Sequence, residues 1–224
     1  MAILPLSREV PVSPEETALL FVDVQNLNAR PDGGVYKTQG LDADGALKQY
    51  AYYFQRLQSR AIPNMIRLQS AFRDAGAEVL YTVIENLTRD GRDRSLDYKL
   101  SGFNVPKGSW DARVLADIQP GEDEMIFPKS SSSVFISTNL HYILGNLGVR
   151  YLVVCGMLTD QCISSTVRDA CDLGYLVTLV TDACATYTPE GHKSAIDHIR
   201  GYCRQRRTDE LLDEISGQVE CRRL

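Results

Sequence analysis

None of the six cysteines, at positions 155, 162, 171, 184, 203 and 221, forms a Cys-x-x-Cys pair, and there are only three scattered histidines, at 141, 192 and 198. That leaves no zinc-binding spacing. No apolar run approaches the ~20 residues that a bilayer span needs. The first residues, MAILPLSREVPVSPEE, lack the basic start and longer apolar run of a secretory leader. The expectation is a soluble, cytoplasmic protein whose cysteines stay as thiols and mostly fill the core. Positive charge is not in excess: 24 Lys and Arg stand against 29 Asp and Glu, a net charge of −5. This argues against nucleic acid or an anionic membrane as partner. There is no internal repeat and no low-complexity linker. With 44% hydrophobic and 24% charged residues, the 224 residues are expected to form one domain, 1–224.

What is there is an alternation of short apolar runs and helical periodicities. TALLFVDVQN (17–26), AEVLYTVI (77–84), DEMIFPK (123–129), RYLVVCG (150–156) and YLVTLVTDACA (175–185) read as strands, the third stopped by Pro128. Between them, 61–75 spaces Ile62, Met65, Ile66, Leu68, Ala71 and Phe72 helically, with Pro63 in the first turn and Gly76 as terminator. Further helices are expected over 137–148 (Ser137 as N-cap, Gly148 as stop), 160–174 and 188–202, and in the C-terminal TDELLDEI, which could pack on a partner. Near-continuous apolar strands alternating with helices predict an α/β fold: a three-layer α-β-α sandwich around a mostly parallel, doubly wound sheet. Ligands in such sheets bind beyond the carboxyl ends of the strands. Three strand ends carry chemistry: Asp23, Lys129 and the turn reaching Cys162.

Taken singly, each has a plain structural reading. Asp23 could cap a nearby loop, Lys129 could be solvated, and Cys162 could be a small core residue. Together they form a candidate catalytic set. A buried Asp and a Lys sustain each other as an ion pair, and a cation beside a thiol favours thiolate. The helix beginning near Asp160 adds backbone N–H groups at Cys162. Cys162 would attack a carbonyl carbon, with Asp23 taking the thiol proton and returning it to a leaving amine.

LLFVDVQN, FPKSSSSVF and CGMLTDQCISSTVRDACDLGYLVTLVTDACAT are similar, in order and spacing over residues 15–200, to the three signature segments of the isochorismatase-like cysteine hydrolase superfamily. That superfamily includes nicotinamidases, N-carbamoylsarcosine amidase, ureidoacrylate and biuret amidohydrolases, and isochorismatase. The resemblance implies an Asp23–Lys129–Cys162 catalytic triad. It also implies a cis peptide at Met157–Leu158, and an oxyanion hole built from the backbone N–H groups of Leu158 and Cys162.

Within the superfamily, nicotinamidases bind a metal through an Asp-x-His segment plus another histidine. This chain has no histidine before His141, so no metal and no cofactor are expected. The expected activity is hydrolysis of a C–N bond in a small linear amide or ureide through an acyl- or carbamoyl-enzyme. The alternatives are an isochorismatase-type hydrolase of another small metabolite and a non-catalytic oligomeric scaffold. Asn26 and Glu85 are the expected readers of substrate N–H groups, and an arginine of the loop containing Arg89, Arg92, Arg94 and Lys99 could hold a terminal carboxylate. The aromatic run AYYFQRL (51–57) suggests an oligomer contact, and relatives are often dimers or tetramers, so a homo-oligomer is expected.

Overall fold

The computed structural model describes residues 7–222. Six strands form one sheet: β1 (Thr17–Val22), β2 (Glu78–Ile84), β3 (Met125–Lys129), β4 (Tyr151–Met157), β5 (Leu176–Ala185) and β6 (Arg204–Arg206). Every pairing is parallel, and the spatial order is β3-β2-β1-β4-β5-β6. The chain winds outward from β1 in one direction, then restarts at β4 and winds outward in the other. The carboxyl ends of β1 and β4 therefore flank the switch point where such sheets open a crevice. β1 is buried along its whole length, as its unbroken TALLFV requires of a strand covered on both faces.

Helices flank the sheet. In chain order they are α1 (Asn26–Ala29), α2 (Gly34–Lys37), α3 (Ala43–Gln49), α4 (Ala51–Arg56), α5 (Ile62–Asp74), α6 (Leu96–Leu100), α7 (Val134–Ser137), α8 (Leu140–Asn146), α9 (Ser164–Asp172), α10 (Pro189–Ile199) and α11 (Thr208–Arg222). α5 packs with α11, while α7 to α10 pack with one another. This is the expected sandwich. A wide π-helical turn, Leu57–Ala61, joins α4 to α5, so the helix that the periodicity starts at 61 begins ten residues earlier.

Several local expectations change. Pro128 lies inside β3 rather than stopping it. β3 is an edge strand, where a residue without an N–H leaves no ladder bond unmade. Ser137 ends α7 instead of capping the following helix, whose N-cap is Asn139. β6 is a three-residue polar strand that no alternation announces. It is held by Arg204, buried and donating two 2.9 Å hydrogen bonds to Glu214. α11 packs on α5 and β5 of its own chain, with Leu211 and Ile215 buried. Tyr53 and Phe54 of the aromatic run are also turned into the protein's own core, not outward. Tyr36, Tyr50, Tyr53 and Tyr187 pack there in tilted and edge-to-face contacts, with ring centroids 4.7–5.4 Å apart.

Candidate active site

Asp23 is the first residue beyond β1 and takes a left-handed backbone, φ 54°, which Asp tolerates better than most side chains. Its carboxylate lies over the end of the sheet. Thr82 of β2 donates to Oδ1 at 2.7 Å, and Lys129 Nζ stands 2.9 Å from Oδ2. Lys129 ends β3, two strands from β1, a separation of roughly 10 Å at normal strand spacing. Only a long side chain crosses β2 to reach the carboxylate, and the short Thr82 leaves it room. Both charges are fully buried.

Cys162 arrives from the other side of the switch point. β4 ends at Met157, the Met157–Leu158 peptide is cis, and a π-helical turn, Thr159–Ile163, leads into α9. Gly156 is needed just before it. Its φ is 129°, and a Cβ there would meet the Val22 carbonyl oxygen at 2.2 Å, so only glycine lets β4 run this close to the end of β1. The Cys162 Sγ lies 3.4 Å from Lys129 Nζ. The ammonium also donates to the Ser131 carbonyl at 2.8 Å and the Tyr98 hydroxyl at 3.0 Å. One buried cation thus joins the three sequence-predicted residues.

The electrostatics have a definite direction. Burial pulls the Lys129 ammonium toward neutrality, but Asp23 and the Cys162 and Tyr98 groups outweigh it, and its pKa is raised. Burial pushes the Cys162 thiol up to about 12 despite Lys129, with Asp23 adding to the rise. This direction agrees with the expected role of Asp23, which is to take a proton from the thiol, and shows that the nearby cation does not by itself offset burial. Burial raises Cys184 to about 12 as well. Contact with Lys129 and access to a cavity, not acidity, set Cys162 apart.

That cavity, about 280 Å³, is lined by Asp23, Leu158 and Cys162 together with Asn28, Asp97 and Tyr98. The turn carrying the cysteine is braced from behind. Arg56 donates to His192 Nε2 at 2.7 Å, and a guanidinium can only donate, so the imidazole proton is on Nδ1 and is given to Thr159 Oγ1 at 2.9 Å. Burial, then the Arg56 charge, lowers His192 to about 4.

The two expected substrate readers are elsewhere. Asn26 Nδ2 donates to the Trp110 carbonyl at 2.9 Å, and Glu85 Oε1 accepts the Gly108 N–H at 2.6 Å. Neither lines the cavity, because each is used to tie down the segment that follows β2. The loop cations do not line it either. Arg94 is spent on the carbonyls of Gly91 and Phe103, Arg92 pairs with Asp90, and Arg89 and Lys99 are exposed. In their place stand Asn28, two residues beyond Asn26, and Tyr98, from α6 in the long loop. Asn28 is marked in the sequence only by nearness to the end of β1, and Tyr98, well beyond β2, by no signal. Asn28 and Val35 belong to the segment after β1, which therefore closes the pocket of its own chain.

A model of the isochorismatase domain matches residues 17–210, which includes all of the groups just described. The chain belongs to the isochorismatase family. It is 30% identical over 206 residues to a ureidoacrylate amidohydrolase of Caulobacter segnis, covering 89% of this chain and 86% of that one. It is 34% identical over 188 residues to an Arabidopsis thaliana protein named a probable inactive nicotinamidase, covering 80% and 86%. Among solved structures, a cysteine hydrolase from Pseudomonas syringae pv. phaseolicola superposes with a TM-score of 0.72 at 24% identity, covering 94% and 97%. In this family member the switch-point crevice holds a thiol, a carboxylate and an ammonium, and among the described residues no group of three or more His, Cys, Asp or Glu side chains is placed to hold a metal ion.

Proposed function

We propose that the protein is a cysteine-dependent hydrolase that cleaves a C–N bond of a small linear amide or ureide. The observation that carries this reading is the single ammonium of Lys129, 2.9 Å from Asp23 and 3.4 Å from Cys162 at the cavity. Asp23 Oδ2 has no hydrogen-bond partner beyond that ion pair. It is the base: it takes the Sγ proton as sulfur bonds to the carbonyl carbon, so the thiolate exists only while it attacks. Lys129 stays protonated and steadies the negative charge as it moves from carboxylate to sulfur. The carbonyl oxygen, now an oxyanion, is received by the backbone N–H groups of Leu158 and Cys162. Asp23 then returns the proton to the departing nitrogen, leaving an acyl- or carbamoyl-thioester. Water, deprotonated by the same carboxylate, releases the acid and restores the thiol. The similarity to ureidoacrylate amidohydrolases supports C–N cleavage over the vinyl ether of isochorismate.

Ammonia release over a panel of amides and ureides tests the reading, with intact-mass detection of the adduct. Turnover by the wild type, with a covalent acyl or carbamoyl mass on Cys162, is expected. Full turnover by Cys162→Ala would overturn it.

A further inference from the structure

Two features of the cavity go beyond the identity of the nucleophile. The first is Asn28. Its side chain lines the cavity, the residue is only 6% exposed, and its Oδ1 is buried without a hydrogen-bond partner. Its backbone is tied down, since the Tyr36 hydroxyl donates to the Asn28 carbonyl at 2.6 Å. A buried acceptor left unpaired is costly, and a ligand offering an N–H would remove that cost. A ligand with both an N–H and a C=O would satisfy the carboxamide in either of its orientations.

The second is charge. No arginine, lysine or histidine is among the residues lining this cavity. The one cation that reaches its floor, Lys129, is already matched by Asp23. Asp97 of α6, an exposed residue at the rim, adds a lining carboxylate that has no ion pair among the described residues. The adjoining outer cavity shares Val35, Ser101 and Phe103 with this one. Its lysine, Lys37, is exposed, lies over the Trp110 ring and does not line the first cavity.

We infer that the site selects a neutral or cationic carbamoyl or amide compound, reading its N–H through Asn28 and rejecting a carboxylate-bearing one through Asp97. The inference rests on Cys162 being the reactive group and deepens the amide or ureide reading by assigning the charge of the substrate. A carboxylate in this cavity would set acceptor against acceptor at Asn28 and anion against anion at Asp97, while Lys129 is already paired with Asp23. This sets the protein apart from a hydrolase whose substrate is a ureido acid.

The test uses two alkylating agents that differ only in this group, iodoacetamide and iodoacetate. Their rates at Cys162 are followed by peptide mass spectrometry and divided by their rates on free cysteine. The corrected ratio is expected to favour iodoacetamide by about tenfold or more. Asp97→Asn should shrink it about two- to fivefold by speeding iodoacetate. Asn28→Ala should slow iodoacetamide about tenfold. A corrected ratio near one, or one that favours iodoacetate, would overturn the inference. A second arm compares hydrolysis of N-(2-aminoethyl)urea with N-carbamoylglycine. Faster turnover of the carboxylate would also overturn it. If neither these nor any other amide or ureide is hydrolysed, the amidohydrolase reading fails, while the alkylation ratio still decides the charge preference.

Discussion

Lys129 reaches across β2 to place its ammonium 2.9 Å from the Asp23 carboxylate, with both residues fully buried. Neither charge would survive there alone, since an unpaired buried ion is strongly disfavoured. Lys129→Met should abolish activity and destabilise the fold by roughly 3–5 kcal/mol, because it leaves Asp23 buried without a counter-ion. The double variant Asp23→Asn with Lys129→Met should recover most of that stability and stay inactive. Asn suits the left-handed backbone at 23, so the rescue isolates the charge. Urea denaturation with parallel assays checks both halves, and equal stability of single and double variants would contradict the pairing argument.

Cys162→Ala should lower kcat by about four orders of magnitude or more with an unchanged fold, since no covalent intermediate forms. Cys155→Ala and Cys184→Ala remove one buried sulfur each and should cost about 1 kcal/mol of stability while turnover persists. Circular dichroism and ammonia release separate the two outcomes. Activity lost in Cys184→Ala but kept in Cys162→Ala would reassign the nucleophile.

Activity should survive exhaustive dialysis against EDTA, because the proposed steps need only a thiol, a carboxylate and an ammonium. Loss on chelation that zinc or iron restores would show that a metal takes part.

His192 makes stability depend on acid. Its pKa is lowered to about 4 in the fold, against about 6.5 in an unfolded chain. Between these values the unfolded state binds the proton and the folded state does not. Its contribution is therefore complete above about pH 6.5 and is lost as pH falls toward 4. Unfolding free energies measured across this window should decline, and His192→Gln should flatten the decline. An identical slope in the variant would mean that other groups cause it.

Glu85→Gln should leave kcat/KM within about threefold of wild type, as the side chain holds the Gly108 N–H and not the cavity. Asn28→Ala should reduce kcat/KM for a ureide by about tenfold. Steady-state kinetics on one substrate compares them directly. A larger loss in the Glu85 variant would return that residue to substrate binding.

The amino-acid sequence by itself determined the order of the first five strands and the main helices between them, and the candidate nucleophile. Short apolar runs bounded by turn formers and alternating with helical periodicities favour strands covered on both faces, whose polar ends then lie at the mouth of the sheet. Asp23, Lys129 and Cys162 were legible for that reason, as strand-end residues in segments of distinctive spacing. Tertiary structure alone decided what surrounds them. Glu85 and Asn26 sit near the right strand ends, yet each is drawn into a backbone contact with a segment 20 or more residues away. Asn28 and Tyr98 reach the cavity because the segments after β1 and β2 fold back over it, and neither segment has a periodicity that reveals this. The polar strand β6 forms because Arg204 finds Glu214 on α11. Even the direction of the Cys162 pKa depended on the fold: burial outweighs the neighbouring cation, and burial is a property of the packed molecule, not of any stretch of sequence.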